Sequence, residues 1–404
     1  MRRRVCRGLV VGWIALAATG CVGGDPSGGD EPLVVRRDSA GVTIVESRAP
    51  AWPEGGGARV SSEPSLVIGS LDGPEEEQLF RVFSATRLSD GRIAVANSGT
   101  HQVRFYLPDG RLEVALGGEG DGPGEFTSLT SIERLAGDTL YAYDGGQQRL
   151  TRISPDGTYL STTRLESPIE QSSMQYLGSV RPGLQVGRTM DFPAGVADGE
   201  VIRADDTAWW IEDGQLTEAL RFSRGPHIVQ RFQRGEQNIF SIGPAPFTVT
   251  DHIAVGPEGI LLASSTRFEV RFFGRSGPVT VARYAGTHDP LTAEHVREFV
   301  ERGDPTPDTR RRREGALETL EPPEHLPAHG GLLVDVDGRP WLRPFGIDET
   351  AWTVLDRDGA WLGSVELPPG LAVFEIGSDY VLGVRRDELD VEYLVLHDLE
   401  WVDP

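Results

Sequence analysis

Two histidines, His325 and His329, stand at the spacing at which a helix would offer two imidazoles to one metal ion. Pro327 lies between them and Pro322-Pro323 just before, so a regular helix is not expected there and no zinc site with it. Asp335-Val336-Asp337-Gly338 and Asp356-Arg357-Asp358-Gly359 begin as a calcium loop begins. Neither continues with the further acidic ligands and closing Glu, and both fall where a hairpin corner is due. The glycine-rich residues 117–124 would suit an anion cradle, yet Glu119, Asp121 and Glu125 repel phosphate and no Gly-Lys-Ser/Thr ending follows. The run Arg310-Arg311-Arg312-Arg313 precedes Glu314, Glu318 and Glu321, which reads as an internally paired, solvated face. No Gly-x-Ser-x-Gly elbow, His-Glu-x-x-His or Cys/His pair occurs.

The elements that would position any site are short strands. Residues 80–126 carry three β-branched or aromatic runs, 85–88, 92–97 and 102–106, with Asp90-Gly91 and Asp109-Gly110 as corners and a fourth run over 112–116. Leu140-Tyr141-Ala142-Tyr143-Asp144 follows Ile93-Ala94-Val95-Ala96-Asn97 at about 47 positions and leads to a second Asp-Gly turn at Asp156-Gly157, the period of a four-stranded propeller blade. More diverged copies lie over 181–188 with 207–222, over 253–284, over 332–367 and over 372–399. Residues 66–70, then Asp72-Gly73-Pro74-Glu75 and Phe80, parallel 112–117, then 121–125 and Phe126. They predict an outer strand lent by the front of the chain to the last blade, leaving no free edge at the seam. The fold class is therefore all-β, a six-bladed β-propeller closed by an N-terminal strand, with a short helical insertion.

Residues 93–105 followed by Asp109-Gly110 are similar to the NHL-type repeat: hydrophobic strand, Asn or Asp, Ser-Gly, polar pair, second strand, Asp-Gly turn. With its loop over 118–126, the chain resembles the bacterial six-bladed β-propeller lipoproteins, a group without a general assigned activity. The resemblance implies fold more than function.

Composition sets the setting. The 404 residues include 50 Gly and 28 Pro, and the formal charge is −22 with every basic residue an Arg, a surface that repels nucleic acid. Residues 1–20 have the layout of a signal peptide, with Met1-Arg2-Arg3-Arg4 and Arg7 before an apolar run too short to remain as a span. Ala18-Thr19-Gly20-Cys21 resembles the bacterial lipobox, departing from it at Ala18 where Leu is usual. The resemblance implies cleavage before Cys21 and a diacylglyceryl group on its sulfur, which would also cap the one thiol left in the mature chain. Residues 21–32 then form the lipidated Cys and a flexible tether with a span of roughly 20 Å. The propeller domain takes 33–404, with insertions near 189–206, expected as loop, and 288–328. The second insertion holds a helix with Thr292 as N-cap and an apolar stripe at Val296, Phe299 and Val300, and a poorer helix over 308–320.

Fold and motifs together lead to a membrane-tethered cell-envelope module that binds or scaffolds a protein, peptide or glycan without catalysis, on the periplasmic face of the outer membrane. The alternative is a lactonase-like or lyase-like hydrolase or lyase with its site at a channel mouth. In either case Asn97, Asp144, Arg343 and Asp348, with His101 and His252 behind them, are the side chains a channel mouth would gather. No cofactor or metal is expected.

Overall fold

The computed structural model describes residues 32–53, 56–170, 172–190, 193, 195–234, 237–303, 305–346 and 349–402. Cys21 and Asp348 therefore lie outside the described residues. The described residues form six sheets, antiparallel except for one parallel pairing in the fourth. The first takes Val82–Arg87, Ile93–Asn97, Gln102–Tyr106 and Leu112–Gly117 in sequence order. The second takes Leu129–Arg134, Leu140–Asp144, Arg149–Ile153 and Tyr159–Arg164. The third, fourth, fifth and sixth begin at Met174–Arg181, Asp251–Gly256, Gly331–Val334 and Ala372–Ile376.

One physical problem organises them all. Four strands make a small sheet that cannot bury both faces alone, and here each face meets the next sheet. In Ile93–Asn97, Ile93 and Val95 point into a core shared with Tyr380, Leu382 and Leu394 of the sixth sheet. Ala94 and Ala96 point the other way, onto Leu129, Leu140 and Ala142 of the second. The strand is thus buried at every position, and it reads as a continuous apolar run rather than an alternating one. Similar cores lie between the second and third sheets around Tyr143 and Met174, the third and fourth around Trp210 and Ile260, the fourth and fifth around Leu261 and Leu355, and the fifth and sixth around Trp341 and Val381. This face-to-face succession is a β-propeller arrangement.

Residues ahead of the first sheet are used elsewhere. Val34–Ser39 and Val42–Ser47 form a hairpin on the outer edge of the fourth sheet, Val42–Ser47 running parallel to Gly277–Tyr284. Leu66–Ile68 pairs antiparallel with the last strand, Glu392–Val402, with Leu66 opposite Leu396 and Ile68 opposite Leu394. Gly57–Val60 pairs with the far end of that strand.

Strand registers sort the turns into two ends. The Asp-Gly corners share one end, with Gly91, Gly110, Gly157, Gly338 and Gly359 all in the left-handed region that glycine reaches at no steric cost. Asp335 shows how such a corner is fixed: buried, it accepts from Asp337 N, Arg339 N and Trp341 Nε1. The opposite end carries the elaborations. Helix α1, Ala293–Glu301, is capped by Thr292 as expected, and Thr292 N donates the reciprocal bond to His295 Nδ1. Helix α2, Pro307–Thr319, starts on a proline, which suits the first helical turn.

One expectation is corrected. Residues 189–206 do not run as a loop throughout: Val201–Glu212 is a strand that continues past its neighbour Leu184–Met190 and pairs with the 20-residue strand Gln215–Arg234. That strand pairs in turn with Gln237–Pro244. The resulting hairpin projects toward α2, where Gln230 Nε2 donates to the Arg312 carbonyl at 3.0 Å and Ile228 packs with Ala316.

Candidate functional site

Asn97 and Asp144 end the second strands of their sheets and are both fully buried. Their polar atoms face the chain itself. Asn97 Oδ1 accepts from Phe80 N at 2.8 Å and its Nδ2 donates to Thr100 Oγ1 at 2.9 Å. The Asp144 carboxylate accepts from Thr127 N, Ser128 N, Gly146 N and Gln147 N at 2.7–3.1 Å. These repeated side chains fasten the entry of each sheet to its second turn, and burial leaves neither open to a ligand. His101 lies on the turn between Ile93–Asn97 and Gln102–Tyr106 with φ +57°, and its buried Nδ1 has no hydrogen-bond partner.

The loop over 117–124 is the crossing from first to second sheet, and it is filled from within. Arg149 donates to the carbonyls of Asp121 and Gly122 at 2.9 and 3.2 Å, and Gln147 Nε2 donates to Asp121 Oδ1 at 2.7 Å. Carbonyls turned onto an arginine do not make an anion cradle. The arginine run pairs within the helical insertion, with partners that include Glu301 and Asp308. Arg310 reaches Glu301 at 2.6 Å, Arg311 meets Asp308, and Arg313 donates to the Val300 and Arg302 carbonyls at the end of α1.

His252 and Arg343 do come together, and His329 joins them. His252 stands near the start of the fourth sheet's first strand, and His329 leads into the fifth sheet's. The ring centroids are 5.6 Å apart. His329 is 1 % exposed and neither ring nitrogen meets a well-aligned partner, although the Ser264 backbone lies close. Burial drives its pKa down to about 3, helped by His252. Burial also lowers the pKa of His252, with the Arg343 charge adding to the effect. The His329 backbone lies close to the His252 ring, and Nε2 of that ring has no partner among the described residues. Arg343, at the end of Pro340–Arg343, lies across Gly330 and Gly331: its Nη2 donates to Gly330 O at 2.5 Å, and a Cβ on Gly331 would sit 3.0 Å from its Nε. Desolvation, and then Arg302, holds the guanidinium below its ordinary pKa. Sequence spacing pairs His329 with His325; the sheet order pairs it with His252.

Carboxylates bridge sheets, Glu133 and Glu375 among them. Glu133 of the second accepts from Ser179 N of the third at 2.8 Å and from the Tyr176 hydroxyl, and its burial raises its pKa. Glu375 of the sixth accepts from Arg87 N of the first at 3.0 Å, from Thr86 and from Tyr380. Among the described residues no three His, Cys, Asp or Glu side chains gather as metal ligands.

The surface of the elaborated end is partly apolar. Phe80 is 61 % exposed, with its ring laid over Gly99, where any Cβ would strike it. Phe83, Leu71 and Leu389 are exposed as well, and the Val82 N to Glu392 Oε2 bond ties the segments that carry them. A cavity of about 970 Å³ lies between α2 and the third-sheet hairpin, lined by Asp198, Gln230, Arg231, Asp308 and Arg311 among others.

The class that these observations define is the β-propeller. No protein-family model matches the chain, and no curated protein matches it in sequence. Solved structures that it resembles include an exported protein of Bacteroides fragilis (12 % identity, 89 % of this chain and 99 % of that one, TM-score 0.47). Virginiamycin B lyase from Staphylococcus aureus is similar over 85 % of this chain and 100 % of its own, at 9 % identity and TM-score 0.39. A gluconolactonase from Xanthomonas campestris matches over 87 % and 99 %, at 11 % identity and TM-score 0.41. At such identities, function has to be argued from this chain's own residues.

Proposed function

We propose that this protein is a lipid-anchored, six-bladed β-propeller of the bacterial cell envelope that binds or scaffolds a partner without catalysis, using the elaborated end as its docking face. Its repeats are of NHL type, and the strand Leu66–Ile68 closes the ring at the last blade. Six sheets with six shared cores support the blade number, and the pairing of Leu66–Ile68 with Glu392–Val402 supports the closure. Residues 1–20 act as the signal peptide, Cys21 takes the lipid, and 21–32 tether the ring at the periplasmic face of the outer membrane. The basic start, the apolar run and the small residues before Cys21 support that reading.

The observation that carries the function is the exposure of Phe80, Phe83, Leu71 and Leu389 on linked segments at the same end as a polar cavity. Large aromatic side chains left in water at a ring face suit a protein or peptide better than a glycan, because their contact area is apolar. The buried Asn97 and Asp144, spent on backbone amides, support binding over channel-mouth hydrolysis or lysis.

The test is crosslinking in native membranes with the acylated protein and a Phe80→Ser/Phe83→Ser/Leu389→Ser variant. A defined partner lost from the variant, with anchoring intact, supports docking at this face. An unchanged partner set, or turnover by the purified protein with a stoichiometric metal, overturns the reading. Cys21→Ser should release the protein from the membrane fraction.

A further inference from the structure

We propose that Arg343, His252 and His329 form the floor of a binding site for a small carboxylate ligand, the guanidinium taking the carboxylate and His252 Nε2 accepting a hydrogen bond from a neighbouring hydroxyl or N–H of the ligand. This proposal does not rest on the apolar docking surface. Polar atoms withdrawn from water ordinarily find partners, and three ring nitrogens in this one spot have no well-aligned one: Nε2 of His252 and both of His329. His329 is almost wholly buried.

The chemistry of the floor selects the ligand. Two imidazoles at this separation would suit a metal cation, but the Arg343 charge bears directly on His252 and Arg302 bears on Arg343, so a second cation is opposed from both. An anion is favoured instead. Arg343 keeps part of its surface open, and among the described residues it has only the Gly330 carbonyl as hydrogen-bond acceptor and meets no carboxylate within ion-pair distance. Its planar fork therefore retains donors for an oxyanion. With both histidines neutral, a single guanidinium faces the ligand directly, which suits a monoanion better than a phosphate dianion. Nε2 of His252 meets no partner among the described residues, and in the neutral ring with its proton on Nδ1 it acts as an acceptor. That asks for a donor beside the carboxylate, as in a hydroxy acid, an amino acid or a uronic acid. Gly330 and Gly331 make the floor flat: they carry no side chain where the guanidinium lies.

The experiment uses the full chain labelled with ¹⁵N-histidine and follows the ring nitrogens by NMR during titration with lactate, galacturonate, lactamide, inorganic phosphate and zinc. Lactate or galacturonate should move the His252 Nε2 resonance in a saturable way, and lactamide should not. Arg343→Gln should weaken that binding roughly tenfold or more, the loss of a charge-assisted fork, and Arg343→Lys should recover only part of it. Ring resonances of the untouched histidines in each variant report whether it is folded. Saturable zinc binding that moves both His252 and His329, phosphate binding tighter than every carboxylate, or carboxylate shifts unchanged in folded Arg343→Gln would each overturn the proposal.

Discussion

Acid should expose the cost of keeping His329 neutral. In the folded chain its pKa is held at about 3, against an ordinary value of 6.5, by burial first and by His252 and His288 after it. Between those values the unfolded chain binds a proton that the folded chain refuses, so stability falls as pH drops below 6.5 and the loss levels off only near 3. The slope is about 1.4 kcal/mol per pH unit for one such histidine, so acidifying over about two units from pH 6.5 costs roughly 2–3 kcal/mol. His252 is shifted in the same direction and adds to it. Many carboxylates titrate over the same range, and a difference measurement removes them. Urea unfolding of the wild type and of His329→Phe at pH 6.5, 5.5 and 4.5 should show the wild type losing about 2–3 kcal/mol more than the variant. His329→Gln, polar but without a titration, should follow the variant. Profiles parallel within about 0.5 kcal/mol would refute the reasoning, because they would mean that the folded ring takes up its proton as easily as the unfolded one.

The remaining predictions concern the framework. Asp144→Ala strands four backbone amides that its carboxylate now accepts from and should cost on the order of 3–5 kcal/mol by urea unfolding; Asp144→Asn should cost less, since Asn97 fills the equivalent place in the first sheet. Glu375→Ala should speed hydrogen exchange at the Arg87 amide by roughly tenfold or more while leaving the Ser179 amide, held by Glu133, unchanged. Val67→Pro places a residue without an amide N–H in the strand opposite Val395 and should make the last strand sensitive to limited proteolysis, with little change at the second sheet.

Much of this framework is legible in the sequence because it is local. Asp-Gly corners demand a left-handed residue, and Thr292 ahead of an apolar stripe demands a helix start. Each demand is met within a few residues. The third sheet is harder to read: Val201–Glu212 and Gln215–Arg234 mix Arg, Asp and Thr with apolar residues, because their outer parts pair with one another beyond the end of the sheet. Their strand character is supplied by a partner, not by a buried face. The His252–His329 contact has no local signature at all. Each residue precedes or opens an ordinary strand, and only the succession of the fourth sheet by the fifth brings the rings together. Glu133 and Glu375 escaped notice for the same reason, each reaching into the sheet that follows its own.

The pairing of Leu66–Ile68 with Glu392–Val402 also sets an order of events in folding. The earlier strand is synthesised long before its partner, so it must wait, apolar and unmatched, while five sheets stack behind it. A chain stopped short of Leu394 would keep Leu66, Ile68 and Val82 facing water. Such a fragment would be prey for chaperones and proteases, which makes the last strand to arrive a quality check on all that came before.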